Sequence, residues 1–148
     1  MNSIDVRIKQ ISPQSKVPQY ATDGSAGLDL CACLEADVEV KSGERVKIPT
    51  GLAIQLPGVQ VVALVCARSG LAAKYGLTLT NGVGVVDSDY RGEIQVLLTN
   101  TGNDTVIIHQ GDRIAQLLFV PVCLAKLSVV EDLDLTERGN GGFGSTGT

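Results

Sequence analysis

Residues 77–86 read Leu-Thr-Leu-Thr-Asn-Gly-Val-Gly-Val-Val, with a short strand-like run on either side of Asn81-Gly82. Val and Thr favour strands, and an Asn-Gly pair supplies the two positive-φ residues that a type I′ turn requires. The stretch therefore predicts a β-hairpin.

Runs of the same kind recur on both sides of this segment and are separated by turn residues. They span residues 4–11, 27–34, 37–43, 44–57, 60–67, 76–80, 83–86, 93–101, 104–110, 113–122 and 125–131. Many short strands at close spacing, punctuated by 17 glycines, are typical of a β-sandwich, barrel or jelly roll. No segment sustains a 3.6-residue apolar period, so the chain is predicted to be all-β without a long helix.

One short helix is predicted after residue 68. Ser69 is a suitable N-cap, residues 71–74 are good helix formers, and Gly76 suits the position that ends a helix. The free N–H groups at the start of such a helix favour a phosphate, but a purely structural turn is equally consistent with this sequence.

Composition restricts the classes of function. A chain of 148 residues with 44% hydrophobic residues fits one soluble domain. Its net charge of −4 argues against binding a nucleic-acid polymer, whose affinity comes from phosphate neutralisation by Lys and Arg. No apolar run is long enough to cross a membrane, and the N-terminus lacks the pattern of a signal peptide. We therefore expect no membrane association and a cytoplasmic location.

The residues suited to catalysis are few. The only histidine, His109, precedes a turn-like Gln-Gly-Asp and is expected at the surface, so a His-rich zinc site is excluded. The four cysteines, none in a CxxC pair, are expected to be reduced and buried. Any catalysis is therefore expected to use carboxylates or a metal that arrives with the substrate.

The C-terminal residues differ from the rest of the chain. Residues 136–148 are rich in glycine and almost free of apolar side chains, which is typical of a flexible tail. However, Phe143 is one of only five aromatic residues, and Arg138 with Ser145-Thr146 could bind phosphate. We therefore predict one domain over residues 1–148, with a β core at 1–135 and a nucleotide-capping arm at 136–148.

Five segments together resemble the motifs of the trimeric dUTPase family, in the family's order and across nearly the whole chain. They are AGLDL at 26–30, RSGLA at 68–72, NGVGVVDSDYRGE at 81–93, GDRIAQ at 111–116 and RGNGGFGSTG at 138–147. The resemblance implies a distorted jelly-roll or β-clip barrel and a homotrimer with shared active sites. It also implies hydrolysis of dUTP to dUMP and pyrophosphate, which lowers dUTP and supplies dUMP for thymidylate synthesis.

The resemblance assigns roles to residues of the third motif and beyond. Asp87 would orient and deprotonate the attacking water. Tyr90 would pack under the deoxyribose and exclude a 2′-hydroxyl. Residues that would pair with or surround the uracil are Asn81, Val85, Val86 and Gln95.

The phosphates would be bound by the other motifs. Arg68, Ser69, Gly70 and Gln116 match phosphate ligands, and Gln116 would lie near the α-phosphate and the water. In the arm, Phe143 would stack on the uracil, and the γ-phosphate would be held by Arg138, Gly144, Ser145 and Thr146.

The resemblance also implies a Mg²⁺ cofactor held by the triphosphate and waters, without a direct protein ligand. Asp29 would either support this metal from outside its coordination sphere or have a structural role at a strand end. The expected reaction is in-line attack of water on the α-phosphorus, without a covalent intermediate.

Two alternatives use the same fold. A dCTP deaminase would carry another residue in place of Tyr90 and a glutamate at the cytosine amine, for which Glu93 is the only nearby candidate. A non-catalytic nucleotide-binding regulator would lack base or phosphate ligands, whereas Asp87, Gln116 and Arg138 are all present. Asp89 is given no role beyond capping a turn.

Overall fold

A computed structural model describes residues 3–142, and within that range the chain forms eleven strands and one helix. The elements in chain order are β1 (Arg7–Gln10), β2 (Leu28–Cys31), β3 (Val38–Val40), β4 (Arg45–Pro49), β5 (Leu52–Gln55), β6 (Val61–Cys66), α1 (Ser69–Tyr75), β7 (Leu77–Leu79), β8 (Gly84–Val86), β9 (Gln95–Asn100), β10 (Val106–Ile108) and β11 (Arg113–Pro121). The all-β class with one short helix is confirmed.

The strands form four small antiparallel sheets. Their strand orders are β2-β11-β6-β8, β4-β9-β7, β1-β5 and β10-β3. Within residues 3–142 these sheets do not join into one closed barrel, so the architecture is an assembly of short sheets around a common core. Strand β11 lies at the centre of the largest sheet, paired with β2 on one side and β6 on the other.

The hairpin predicted at residues 77–86 is wrong, although both of its strands exist. Strand β7 pairs with β9, whereas β8 pairs with β6 in a different sheet. The Gly82 N–H donates to the Leu79 carbonyl at 3.3 Å, and that of Val83 donates to the Asn81 carbonyl at 2.8 Å. The Asn-Gly pair thus turns the chain from one sheet to another, because each strand gains more from a distant partner than from its neighbour in sequence.

Two other predicted strands also differ from the structure. Residues 44–57 form two strands, since Gly51 adopts a φ of 68° and the chain passes from a sheet with β9 to one with β1. Residues 125–131 form no strand. Several apolar side chains just beyond β11 lie open to solvent, and Leu127 and Val129 are 90% and 102% exposed. Residues 122–135, predicted as part of the β core, therefore extend beyond its last strand.

Helix α1 begins one residue earlier than predicted. Its N-cap is Arg68 rather than Ser69, and the cap makes no side-chain hydrogen bond. Gly76 ends the helix with a φ of 68°, as expected. A Cβ at Gly76 would collide with the backbone of Gly102, so the glycine is required both by its conformation and by the close approach of this loop.

The core is built from the inward-facing residues of the four sheets. Leu30, Ile48, Leu52, Leu98 and Leu117 are among its fully buried side chains, each of which contributes about 1.5–3 kcal/mol by leaving water. The buried polar residues Thr50 and Asn100 bind backbone carbonyls instead, Thr50 that of Ile94 at 2.6 Å and Asn100 that of Val40 at 2.8 Å. The first bond joins the turn after β4 to the residue before β9, and the second joins the ends of β9 and β3, so both buried side chains have a partner.

The remaining surface predictions have mixed outcomes. His109 lies at the surface in the predicted turn, with 58% of its side chain exposed. All four cysteines are free. Cys123 is exposed and the other three are only partly buried, so the prediction that the cysteines are buried is wrong. No helix in the part of the chain that the structure describes is long and apolar enough to cross a bilayer.

Candidate functional site

The predicted site residues lie around two pockets at the ends of neighbouring strands. Asp29, Arg68, Ser69, Gly70 and Gln116 line a cavity of about 380 Å³, which we call the β2–β11 pocket. A second cavity of about 270 Å³, the β8 pocket, is lined by the other group, namely Asn81, Val85, Val86, Asp87, Tyr90 and Gln95. The structure therefore brings together residues from four of the five motifs, but in two groups.

The β2–β11 pocket is built across three paired strands. Gln116 on β11 is directly opposite Asp29 on β2 and Cys66 on β6. Directly paired residues of a sheet share a face, so these side chains stand in one row on the floor of the pocket. The Gln116 amide nitrogen donates to the Ala67 carbonyl at 2.9 Å, which orients its amide and leaves the carbonyl oxygen free.

Two arginines of the β2–β11 pocket share the carboxylate of Asp29. Oδ1 of Asp29 lies 3.1 Å from Nε of Arg68, and Oδ2 lies 3.1 Å from Nη1 of Arg113. Arg68 also donates to the Arg113 carbonyl at 3.2 Å. Each guanidinium group has five N–H donors, and these bonds use only one or two of them, so most remain available to an anion.

The pocket also depends on two small residues at its border. A Cβ at Gly27 would stand 2.9 Å from Oε1 of Gln116, so a larger residue there would displace the Gln116 side chain. Ser69 and Gly70 open helix α1, whose first intrahelical bond runs from the Ala72 N–H to the Arg68 carbonyl. The N–H groups of the first turn therefore have no partner within the helix.

The β8 pocket lies at the edge of the largest sheet. Among residues 3–142, strand β8 pairs with β6 alone, so its other edge presents backbone donors and acceptors that no described strand pairs with. Val85 is exposed on this strand, and Asp87 follows its last residue directly. The backbone of Asp87 is therefore held by a strand end and by a tight turn, in which the Tyr90 N–H donates to the Asp87 carbonyl at 3.1 Å.

Two contacts hold the side chain of Tyr90 in place. Its hydroxyl donates to the Glu93 carbonyl at 2.9 Å. Its ring covers Gly92 so closely that a Cβ there would collide with the Tyr90 hydroxyl. The face of the ring is thus held in one position beside Asp87, where it limits the size of whatever enters the pocket.

Some predicted residues are not placed in either pocket. Arg138 lines neither of them, and its Nε donates to the carbonyl of Gly141 in its own segment at 2.8 Å. Phe143, Gly144, Ser145 and Thr146 lie outside the described residues. Of the predicted C-terminal site residues, Arg138 is therefore the one whose place is described, and it does not lie with the others.

Several residues that line the pockets were not among the predicted site residues of a dUTPase. Arg113, Gly27 and Cys66 line the β2–β11 pocket, whereas Lys47 and Glu93 line the β8 pocket. Arg113, Gly27 and Glu93 lie within or beside the motifs, so their position was a usable signal. Lys47 lies on β4 opposite Leu97 of β9, and no local pattern relates it to the other site residues.

The side chains present are consistent with a magnesium ion held by a ligand rather than by the protein. In the stretch from residue 3 to residue 142, no three His, Cys, Asp or Glu side chains are grouped closely enough to hold a metal ion. Mg²⁺ keeps several waters and is usually bound through few carboxylates together with substrate phosphates. Both carboxylate oxygens of Asp29 are already paired with arginines, so the side-chain oxygen of Gln116 and the remaining N–H groups of Arg68 and Arg113 are the polar groups left for such a complex.

Known proteins resemble this chain in both sequence and structure. The family model described as dUTPase matches residues 13–147. A deoxyuridine 5′-triphosphate nucleotidohydrolase of Desulfitobacterium hafniense (strain DSM 10664 / DCB-2) is 55% identical, and one of Escherichia coli O9:H4 (strain HS) is 47% identical, each over 99% of both chains. The dUTPase of Staphylococcus bacteriophage 80alpha, solved with dUPNHPP, aligns with a TM-score of 0.89 at 26% identity. That alignment covers 97% of this chain and 99% of the phage chain.

Proposed function

Because the chain belongs to the dUTPase family, we propose that its two pockets are the two kinds of part from which active sites for the hydrolysis of dUTP to dUMP and pyrophosphate are assembled. The hydrolase activity follows from the family match over residues 13–147 and from relatives that are 47–55% identical. The proposal concerns which residues bind and cut the substrate, and how copies of the chain complete the site.

One observation carries this assignment. Every predicted site residue within residues 3–142, apart from Arg138, lines one of the two pockets. Apart from Arg138, the described residues assigned to the phosphates lie in the β2–β11 pocket, and among them is Gln116, which is assigned to the α-phosphate and the water. The residues assigned to the base and the sugar, together with the general base Asp87, lie in the β8 pocket. Residues assigned to different parts of the substrate thus lie in different pockets.

The β8 pocket is proposed to bind the deoxyuridine. The open edge of β8, together with the Asn81 amide, offers hydrogen-bond donors and acceptors to the edge of the uracil. The Tyr90 ring, held over Gly92 and bonded to the Glu93 carbonyl, would pack under the deoxyribose. A 2′-hydroxyl would meet this ring, so UTP is excluded by a steric clash rather than by a missing attraction.

The β2–β11 pocket is proposed to bind the triphosphate. Arg68 supplies positive charge, Ser69 and Gly70 supply the free N–H groups of the first helical turn, and Gln116 supplies its amide. When bound with the phosphates, Mg²⁺ would neutralise the charge that develops on them. Arg138, Gly144, Ser145 and Thr146 would hold the γ-phosphate and Phe143 would cover the uracil as the arm closes.

Asp87 is proposed as the general base. It stands at the end of a strand with its backbone held by the turn to Tyr90, so a water bound to its carboxylate has a fixed position. The carboxylate takes a proton from that water as the water attacks the α-phosphorus in line with the leaving pyrophosphate. No covalent intermediate is required, because positioning and charge neutralisation lower the barrier.

The two pockets of one chain are proposed to belong to different active sites. Val65 lines the β8 pocket and Cys66 lines the β2–β11 pocket, and successive residues of a strand point to opposite faces of a sheet. One nucleotide would therefore contact the β8 pocket of one chain and the β2–β11 pocket of another. The apolar side chains exposed in residues 124–135 supply surface for such an assembly. The resemblance gives the number of copies as three, and the family's role gives the cytoplasm as the location.

The test of this function measures pyrophosphate release from dUTP, dCTP, dTTP and UTP, each with and without Mg²⁺. We expect rapid release from dUTP alone, dependent on the metal. Ammonia release from dCTP would instead identify a deaminase, and binding of dUTP without turnover would identify a regulator. Sedimentation of the same sample should give three times the mass of one 15.5 kDa chain.

A further inference from the structure

A bulge in strand β11 brings Arg113 into the β2–β11 pocket. In a regular strand, residues three apart point to opposite faces of the sheet, so Arg113 and Gln116 would not share a pocket. Here the register between β11 and β2 shifts between Arg113 and Ala115, which makes Ile114 an extra residue. Ile114 and Ala115 are both buried, as expected where a bulge turns two successive side chains into the core. The shift puts Arg113 on the face of Gln116, and both line the pocket.

The guanidinium group of Arg113 is held at the floor of the pocket. Its Nη1 donates to Oδ2 of Asp29 at 3.1 Å, and Asp29 stands beside Gln116 in the row that forms this floor. The carbonyl of Arg113 accepts from the Arg68 side chain at 3.2 Å, so the two arginines are joined to each other as well as to the carboxylate. The Arg113 side chain is 57% exposed, and its pair with Asp29 leaves other N–H donors of the guanidinium for a ligand above the floor.

Arg113 also decides the net charge of the β2–β11 pocket. Among the described residues that line it, the side chains charged at neutral pH are Asp29, Arg68 and Arg113. The carboxylate of Asp29 balances one guanidinium group, so the lining would carry no net charge without Arg113. A triphosphate remains anionic when it binds Mg²⁺, and its attraction to the lining therefore depends on the second arginine.

We propose that Arg113 is a further triphosphate-binding residue, whose guanidinium group donates to Asp29 on one side and to a phosphate oxygen on the other. One guanidinium group can do both because its N–H donors diverge in a planar fork. The inference rests on the proposed function, since it assumes that the β2–β11 pocket binds the phosphates. It deepens that function by adding a phosphate ligand that the bulge in β11 brings to the site.

The test compares kcat/KM for dUTP and the inhibition constant of deoxyuridine in the wild-type enzyme, Arg113→Gln and Arg113→Lys. Deoxyuridine has no phosphate, so its binding does not depend on a phosphate ligand. We expect Arg113→Gln to lower kcat/KM about 10- to 100-fold, as for the loss of a hydrogen bond between charged groups, while the inhibition constant of deoxyuridine stays within about twofold. Arg113→Lys should cause a smaller fall, because an ammonium group keeps the charge but cannot span both partners.

The dependence on salt separates a charge contact with the substrate from a structural role. Added NaCl screens the attraction between the pocket and the triphosphate, so kcat/KM of the wild-type enzyme should fall as NaCl rises. Arg113→Gln should fall less steeply, because its pocket lining has no net charge, whereas Arg113→Lys should keep the wild-type slope. Arg45→Gln makes the same chemical change at an exposed position of β4, outside both pockets, and should match the wild-type enzyme in rate and slope.

Three results would overturn the inference: a kcat/KM of Arg113→Gln within about twofold of the wild-type value, an equal weakening of deoxyuridine in that variant, or a wild-type kcat/KM in Arg113→Lys. The last of these decides the matter if Arg113→Gln does not fold.

Arg68→Gln distinguishes a failure of this inference from a failure of the proposed function. If Arg68→Gln lowers kcat/KM for dUTP and Arg113→Gln does not, the β2–β11 pocket still binds the phosphates and only the role of Arg113 is refuted. If neither variant lowers it, the phosphates bind elsewhere, and the proposed function of this pocket is refuted together with the inference.

Discussion

The Oδ1 atom of Asp29 lies 3.1 Å from Nε of Arg68, and the same carboxylate reaches Arg113 with its other oxygen. This pairing favours a structural role for Asp29, that of holding two cationic side chains at the β2–β11 pocket. A role toward the metal would require the same two oxygens to face the magnesium waters. The two roles predict different effects of one substitution.

We expect Asp29→Asn to raise the KM for dUTP about tenfold with a smaller change in kcat, because the arginines are no longer held in place. The Mg²⁺ concentration that gives half-maximal rate should stay the same. Steady-state kinetics at several Mg²⁺ concentrations makes the comparison. A large shift in the Mg²⁺ requirement, with an unchanged KM for dUTP, would assign Asp29 to the metal instead.

Asp87→Asn should lower kcat by about 100- to 10,000-fold while dUTP still binds, because the amide keeps the size of the side chain but cannot take a proton. Asp89→Asn makes the same change two residues later, outside the pocket linings described above, and serves as the matched control. Single-turnover rates and calorimetric binding of a non-hydrolysed analogue test the two halves of this prediction. Equal rates for wild-type enzyme and Asp87→Asn would remove Asp87 as the base.

The exclusion of UTP is expected to depend on the ring of Tyr90 and not on its hydroxyl. Tyr90→Ala should increase the kcat/KM for UTP relative to dUTP by on the order of tenfold or more, since the clash with the 2′-hydroxyl is gone. Tyr90→Phe keeps the ring and loses only the bond to the Glu93 carbonyl, so it should retain most of the selectivity. Competition between UTP and dUTP in one reaction measures the ratio directly, and an unselective Phe variant would contradict the steric explanation.

Gly76 and Gly82 have similar φ values, 68° and 70°, but different surroundings. A Cβ at Gly82 meets nothing within 4 Å, whereas one at Gly76 collides with the Gly102 backbone. Gly82→Ala should therefore lower the free energy of unfolding by only about 1–2 kcal/mol, which is the cost of placing an alanine in the left-handed conformation. Gly76→Ala should lower the free energy of unfolding by clearly more, because the backbone of Gly102 must also move. Urea unfolding of both variants tests the difference, and equal losses would argue against the close packing of this loop.

Burial raises the pKa of the Cys31 thiol above its ordinary value of 9.0, with Asp29 adding to the shift and Lys16 opposing it. The folded chain therefore holds this proton more tightly than the unfolded chain. Stability is unaffected below the ordinary pKa and is lost as the pH rises above it, where the unfolded chain ionises first.

Cys31→Ser removes the thiol that causes this loss of stability at high pH. Its free energy of unfolding should therefore decline less than that of the wild-type chain between about pH 8 and about pH 10. Cys123→Ser, at the exposed cysteine, should decline as the wild-type chain does. Denaturant unfolding across this pH range gives the slopes. Parallel slopes for Cys31→Ser and the wild-type chain would mean that the thiol titrates alike in both states.

Local patterns identified most of the strands, because alternation and β-branched residues act over a few residues. Ten of the eleven predicted runs contain a strand, and the run at 44–57 contains two. The prediction at 125–131 failed because an apolar pattern forms a strand only when another strand pairs with it, and no strand within residues 3–142 does so. The end of helix α1 was predicted correctly because Gly76 marks it, and its N-cap was predicted one residue too late.

The sequence by itself determined the all-β class, the positions of most strands and the five motifs, because each of these depends on residue type and short spacing. Tertiary structure alone decided which strands pair, since Leu77–Leu79 and Gly84–Val86 are neighbours in sequence yet join different sheets. It also decided the contacts of the site: Asp29 with Arg113, and Glu93 with Gly51, are 84 and 42 residues apart. Such contacts arise from the folding of the whole chain, and no local pattern records them.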